Sequence, residues 1–120
     1  MRAPLFVMAT LAITVPVTAR ESGVPAATSI GRPVDCVRLT DIRETHVRSD
    51  SVIDFELSRN RFYRNTLPHS CPQLGFEERF SYSVSNGELC GVDTITVLES
   101  TGVRGATCGL GRFQPVTISK

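Results

Sequence analysis

The feature that most limits what this chain can fold into is its set of four cysteines, Cys36, Cys71, Cys90 and Cys108. An even set in an exported chain reads as two disulfides, and this chain carries the marks of export. Arg2 is followed by a nearly unbroken apolar run over residues 5–15, and Val17-Thr18-Ala19 supplies the small side chains a signal peptidase requires. Positive charge, apolar run and small-residue site in that order predict a signal peptide over residues 1–19, cut after Ala19. The alternative is an uncleaved anchor, but the run is shorter than the ~18–20 apolar residues of a spanning helix. The residue directly after the cut is Arg20 and not a cysteine, which argues against a lipid anchor. The protein is therefore expected to be periplasmic or secreted, with no membrane span once the signal is removed.

What remains is roughly 100 residues, enough for one domain with one modest core. Four cysteines permit three pairings. The nested one is favoured, Cys71–Cys90 inside Cys36–Cys108, because it ties a central strand pair internally and joins the two ends of the domain. Loop closure assigns ~3 kcal/mol to the inner bridge and ~4 to the outer, comparable to the whole stability of a small domain.

The charge balance excludes some partners. Removing residues 1–19 takes away Arg2 and no acid, leaving 12 basic and 12 acidic residues. A neutral chain is not a nucleic-acid binder held by phosphate neutralisation. Lys120 is the only lysine; an arginine-only surface suits bidentate recognition of carboxylate or phosphate, though codon usage explains it equally well.

Residues 20–34 are rich in Gly, Pro, Ser and Ala and predict a flexible leader. The β-rich disulfide domain is expected over residues 35–116, with 117–120 as a tail. Residues 37–47 read as one irregular strand or two short ones. Ile53, Phe55 and Leu57 alternate with Asp54 and Glu56, predicting a strand with one wet face. Ser58-Arg59-Asn60 reverses the chain, and the next strand places Tyr63, Asn65 and Leu67 on one side, with Phe62, Arg64 and Thr66 on the other. Pro68 ends it. Phe76, Glu78, Phe80, Tyr82 and Val84 recur every second residue, and Asn86-Gly87 favours a tight turn, so a central hairpin is expected, returning through Glu88-Leu89-Cys90. Residues 94–98 form a further β-branched run, residues 99–107 a mobile turn, and residues 108–113 a closing strand or loop. No amphipathic helix is evident. The pattern predicts a mainly β fold, a small antiparallel β-barrel or sandwich stapled by two disulfides.

Cys36, Ile42, Asp50, Ile53, Tyr63-Arg64-Asn65 with Leu67, and Cys71-Pro72 with Leu74 make the first half of a recognisable pattern. Leu89-Cys90 with Asp93 and Ile95, and Cys108 with Leu110-Gly111, Phe113 and Pro115, complete it. The pattern resembles a family of small exported bacterial proteins known only as a domain of unknown function, and spans residues 36–115. The resemblance implies export and a compact fold; it brings no activity and no site residues.

Each candidate chemistry has a plainer competitor. His69-Ser70-Cys71 places an imidazole near a thiol, but an exported cysteine is better read as half of a disulfide, and no C-x-x-C pair is present. Zinc sites cluster their ligands two to four residues apart. Among the cysteines and histidines only His69 and Cys71 do so, so no metal is expected, and His46 and His69 read as solvated. Glu77, Asp54 and Glu56 fall on wet strand faces. Glu78 falls among aromatics, so it either lies at the strand's exposed end or is held by an arginine such as Arg64 or Arg79, with the ion pair favoured. Asp93 is placed to cap a turn. Gly109-Leu110-Gly111 lacks the residues of a phosphate loop and reads as a bend that admits close backbone approach. Phe62, Tyr63, Phe80 and Tyr82 read mostly as core.

These readings point to a non-enzymatic exported module that binds a protein or envelope component, with no catalytic residue and no cofactor assigned. Disulfide-pinned loops suit binding, so residues 69–75, with His69 and Gln73 in front, and residues 99–107 are the candidate partner-binding loops. An inhibitor of a secreted hydrolase is the second reading, and a periplasmic enzyme assembled from distant residues the third.

Overall fold

A computed structural model describes residues 3–5, 10–12 and 23–119. The expected cleavage site, Val17-Thr18-Ala19, lies outside the described residues. Among the described residues no helix is long and apolar enough to cross a membrane.

The protein is mainly β, and among the described residues every strand pair is antiparallel. Ten strands of the described residues run in chain order as β1 (Ala27–Ser29), β2 (Cys36–Arg38), β3 (Ile42–Val47), β4 (Val52–Leu57), β5 (Arg61–Thr66), β6 (Phe80–Ser81), β7 (Glu88–Cys90), β8 (Thr94–Leu98), β9 (Arg104–Gly109) and β10 (Phe113–Ile118), with one α-helical turn, α1 (Leu74–Glu77), after β5. They form three open sheets: five strands in the order β1-β10-β5-β4-β3, three in the order β6-β8-β9, and the ribbon β2-β7.

One core joins all three. β4 contributes Ile53, Phe55 and Leu57, β8 contributes Ile95 and Val97, the ribbon contributes Val37 and Leu89, and Phe113 of β10 and Leu74 of α1 complete it. Phe113 meets Phe55 edge-on at 5.2 Å, an arrangement aromatic quadrupoles favour. The alternation in β4 and β5 holds as expected: Phe55 faces Tyr63 and Ile53 faces Asn65 in the ladder, while Asp54 faces Arg64 on the other side. The turn between them has Arg59 and Asn60 at positive φ, and residues 37–47 resolve into two short strands, β2 and β3.

The expected central hairpin does not form. Phe76 belongs to α1, Glu78 sits at φ 55 just after it, and β6 is only two residues long, paired with β8. Gln73 and Glu78, both left-handed, bracket a turn of helix, so the period-two spacing there is coincidental. Asn86-Gly87 does turn the chain, with Asn86 Oδ1 accepting the Glu88 N–H at 3.3 Å. The strand that follows crosses to β2 instead of returning on β6.

That crossing overturns the nested pairing. The disulfides are Cys36–Cys90 and Cys71–Cys108, interleaved in sequence. Cys36 lies directly opposite Cys90 in the β2–β7 ladder, 4.0 Å apart at Cα. The Gly91 N–H donates to the Asp35 carbonyl at 2.8 Å, so the two cysteines form a non-hydrogen-bonded pair, where side chains come closest. Cys71 is buried beneath the loop after β5, against Cys108 of β9.

The five-stranded sheet also passes the expected domain limits. Ala27–Ser29, expected in the leader, pairs with β10, and β10 continues to Ile118. Pairing along an edge outweighs the weak local propensity of these small residues. Pro115 fits inside β10 because its carbonyl accepts from the Ile30 N–H on the β1 side. Its nitrogen points the same way, so the ladder to β5 loses no bond.

Candidate functional site

The loop between β5 and α1 begins with exposed Pro68, His69 and Ser70 and is then fixed from below. The Cys71 N–H donates to the Asp50 carbonyl at 2.8 Å, its sulfur is bonded to Cys108, and Leu74 is fully buried. Asp50 Oδ1 accepts the Gly75 N–H at 2.8 Å. A Cβ at residue 75 would sit 3.0 Å from that oxygen, so glycine permits the approach. Between these anchors Gln73 adopts φ 70 and is exposed. Phe76, one residue past Gly75, is 80% exposed.

The second expected loop lies beside the first. Glu77 Oε2 accepts the Ser100 N–H at 3.0 Å, and the Arg79 carbonyl accepts the Leu98 N–H at 3.0 Å. The turn is shorter than expected, because Arg104–Gly109 is strand β9. The turn itself is closed by Glu99 N–H donating to the Val103 carbonyl, with Gly102 at φ 83. His69, Gln73, Phe76 and Val103 thus stand exposed on two segments that are bonded to each other and to the core.

The carboxylates are placed differently from expectation. Asp54 is fully buried, not on a wet face. Arg64 grips it through Nε to Oδ1 at 2.8 Å and Nη2 to Oδ2 at 3.0 Å, and Arg48 Nε donates to Oδ2 at 2.9 Å. Arg64 also donates to the Pro25 carbonyl at 2.9 Å, which draws the segment before β1 over this face. A buried carboxylate is tolerated only when paired in this way, and with both oxygens engaged it has no role as a base. Glu78 is exposed, and neither Arg64 nor Arg79 pairs with it. Its place after α1, at φ 55, takes it out of the strand pattern on which that ion pair was expected. His46 is half-buried beside Glu56 on the same sheet face.

Cys71 is oxidised, as are the other three cysteines, which removes a thiolate from consideration. Every buried side-chain nitrogen and oxygen among the described residues has a hydrogen-bond partner. A shallow cleft of about 250 Å³ opens between the ribbon and the end of the β4–β5 hairpin, with Arg38, Asp41, Arg61, Tyr63 and Glu88 among its lining. Asp93 caps its turn by accepting the Cys90 N–H at 2.7 Å. Gly111 is a close approach as expected, since a Cβ there would run into the Thr66 carbonyl oxygen.

Comparison with protein-family models, curated proteins and solved structures returned no match. The functional reading therefore rests on side-chain geometry. His69 and Gln73 lie on the exposed loop as expected, and Phe76, expected in a strand, joins them there. The signal available was Gly75 before it and two prolines upstream, which break a strand reading.

Proposed function

We propose that this protein is an exported, non-enzymatic binding module whose partner is a protein or envelope component. It meets that partner through residues 69–76 and the adjoining 99–103 turn. The observation that carries the reading is Phe76: an aromatic ring 80% exposed on a turn anchored by a disulfide, a buried leucine and the Asp50 carboxylate. A single exposed apolar residue is ordinary. One carried on a pinned backbone has already met part of the ordering cost of association, and aromatic anchors dominate interface energetics. Export, and a periplasmic or secreted location, are supported by the two disulfides and by the sequence of residues 1–19. The three open sheets around one core favour a sandwich over a barrel.

Affinity capture from an envelope extract, using the disulfide-bonded protein as bait, tests this. A specific partner should be retained by the unsubstituted chain, lost with Phe76→Ser, and weakened with His69→Ala or Gln73→Ala. Capture insensitive to all three substitutions excludes this surface. Retrieval of a lytic enzyme or protease, with inhibition of its activity, would favour the inhibitor reading, which the stapled loop also suits.

A further inference from the structure

Glu44 and His46 stand two residues apart on β3, so the pleat turns both side chains to the same face. Glu56 of β4 lies directly opposite Glu44 in the ladder, and His46 is two pairs along, at the next position on the same face. Carboxylates facing each other across paired strands repel. Here an imidazole is interposed: His46 Nε2 lies 3.1 Å from Glu56 Oε2 and 3.8 Å from Glu44 Oε2. One donor atom from each residue falls within 4.8 Å of the others. Tetrahedral zinc with bonds of about 2.0–2.2 Å separates adjacent donor atoms by roughly 3.3–3.6 Å. The two distances to His46 bracket that range, and the two carboxylates, within 4.8 Å of each other, would close onto an ion by side-chain rotation. The Phe62 ring packs against the imidazole at 6.2 Å. Glu44 is 65% exposed at its side chain and leaves the approach from solvent open.

We propose that Glu44, His46 and Glu56 form a site for one divalent transition-metal ion of the zinc class, with a fourth coordination position open to solvent. An imidazole nitrogen with two carboxylates suits zinc better than calcium or magnesium, which favour all-oxygen shells. The ion takes the place of the proton between His46 Nε2 and Glu56. A neutral ring then carries its hydrogen on Nδ1, and a doubly protonated one releases a proton to solvent. Asp54, opposite His46 in the ladder, is already held by Arg48 and Arg64 and takes no part.

Titration calorimetry of the disulfide-bonded protein with zinc chloride, paired with NMR of the two histidine rings, decides the matter. One ion per chain should bind, with the His46 ring signals shifting and those of His69 unmoved. Glu56→Gln and His46→Asn should each weaken binding by at least about 100-fold, beyond the usual effect of losing an outer-shell partner, and His69→Asn should leave it unchanged. The proposal fails if the unsubstituted chain takes up no zinc, if zinc binds without shifting His46, or if uptake survives both ligand substitutions. The ring signals of the unsubstituted chain decide the case even where a variant does not fold.

Discussion

Asn65 and Gly111 exchange two hydrogen bonds, each 2.8 Å long, across 46 residues of chain. Asn65 is fully buried. Its Oδ1 accepts the Gly111 N–H and its Nδ2 donates to the Gly111 carbonyl, so one side chain supplies the rung that locks the β9–β10 connection onto β5. Asn65→Leu keeps the volume but strands both backbone groups, and should cost roughly 2–5 kcal/mol. Gly111→Ala should cost ~1–3 kcal/mol by forcing a methyl against the Thr66 carbonyl. Urea unfolding should show both as lower midpoints at unchanged slope.

The Asp54 cluster predicts a second, separable loss. Removing the carboxylate leaves two partly covered guanidinium groups facing one another, so Asp54→Ala should cost ~3–5 kcal/mol. The pair is shielded from solvent, and the loss should change little between low and high salt. The Arg112–Asp35 pair, with side chains 61% and 79% exposed, is the internal control. Asp35→Asn should cost less than about 1 kcal/mol, and salt should erase even that.

The interleaved bridges give a covalent test. A non-reducing peptide map should yield fragments joining Cys36 to Cys90 and Cys71 to Cys108, and none joining Cys71 to Cys90. The closed loops span 54 and 37 residues, so removing either bridge with a double alanine substitution should cost up to about 4 kcal/mol. The Cys71–Cys108 variant should also lose order around His69 and Gln73, visible as faster amide exchange there. The Cys36–Cys90 variant should leave that loop protected.

Much of this fold was legible because its signals are local. β4 and β5 announce themselves through Ile53, Phe55 and Leu57 against Tyr63, Asn65 and Leu67, and β8 through its β-branched run. What escaped depends on partners distant in sequence. Asp54 reads as a wet-face residue until Arg48 and Arg64 converge on it, and Ala27–Ser29 reads as a leader until β10 offers an edge. Cys90 pairs with Cys36 because β7 leaves its expected neighbour for β2, a choice of sheet that no spacing encodes. The exposed loop was found from Pro68, Pro72 and Cys71. Phe76 was hidden in it by an alternation that two left-handed residues, Gln73 and Glu78, interrupt. His46 reads as a solvated residue until the β3–β4 ladder sets it, with Glu44, beside Glu56.

Asp50 links the rigidity of the loop to its proposed use. Its backbone carbonyl holds the Cys71 N–H and its side chain holds the Gly75 N–H, so Asp50→Ala removes the second tie and spares the first. Loss of one hydrogen bond to a charged acceptor should lower global stability by only about 1.5–3 kcal/mol, with both disulfides still formed. The larger effect should be local: the Gly75 amide should exchange much faster, while exchange of the Ile53 and Phe55 amides in β4 should speed up only to the new global limit. If Phe76 binds because it is held in place, partner affinity should fall with Asp50→Ala although no contact residue has changed. Faster exchange at Gly75 with undiminished affinity would show that the partner orders the loop itself.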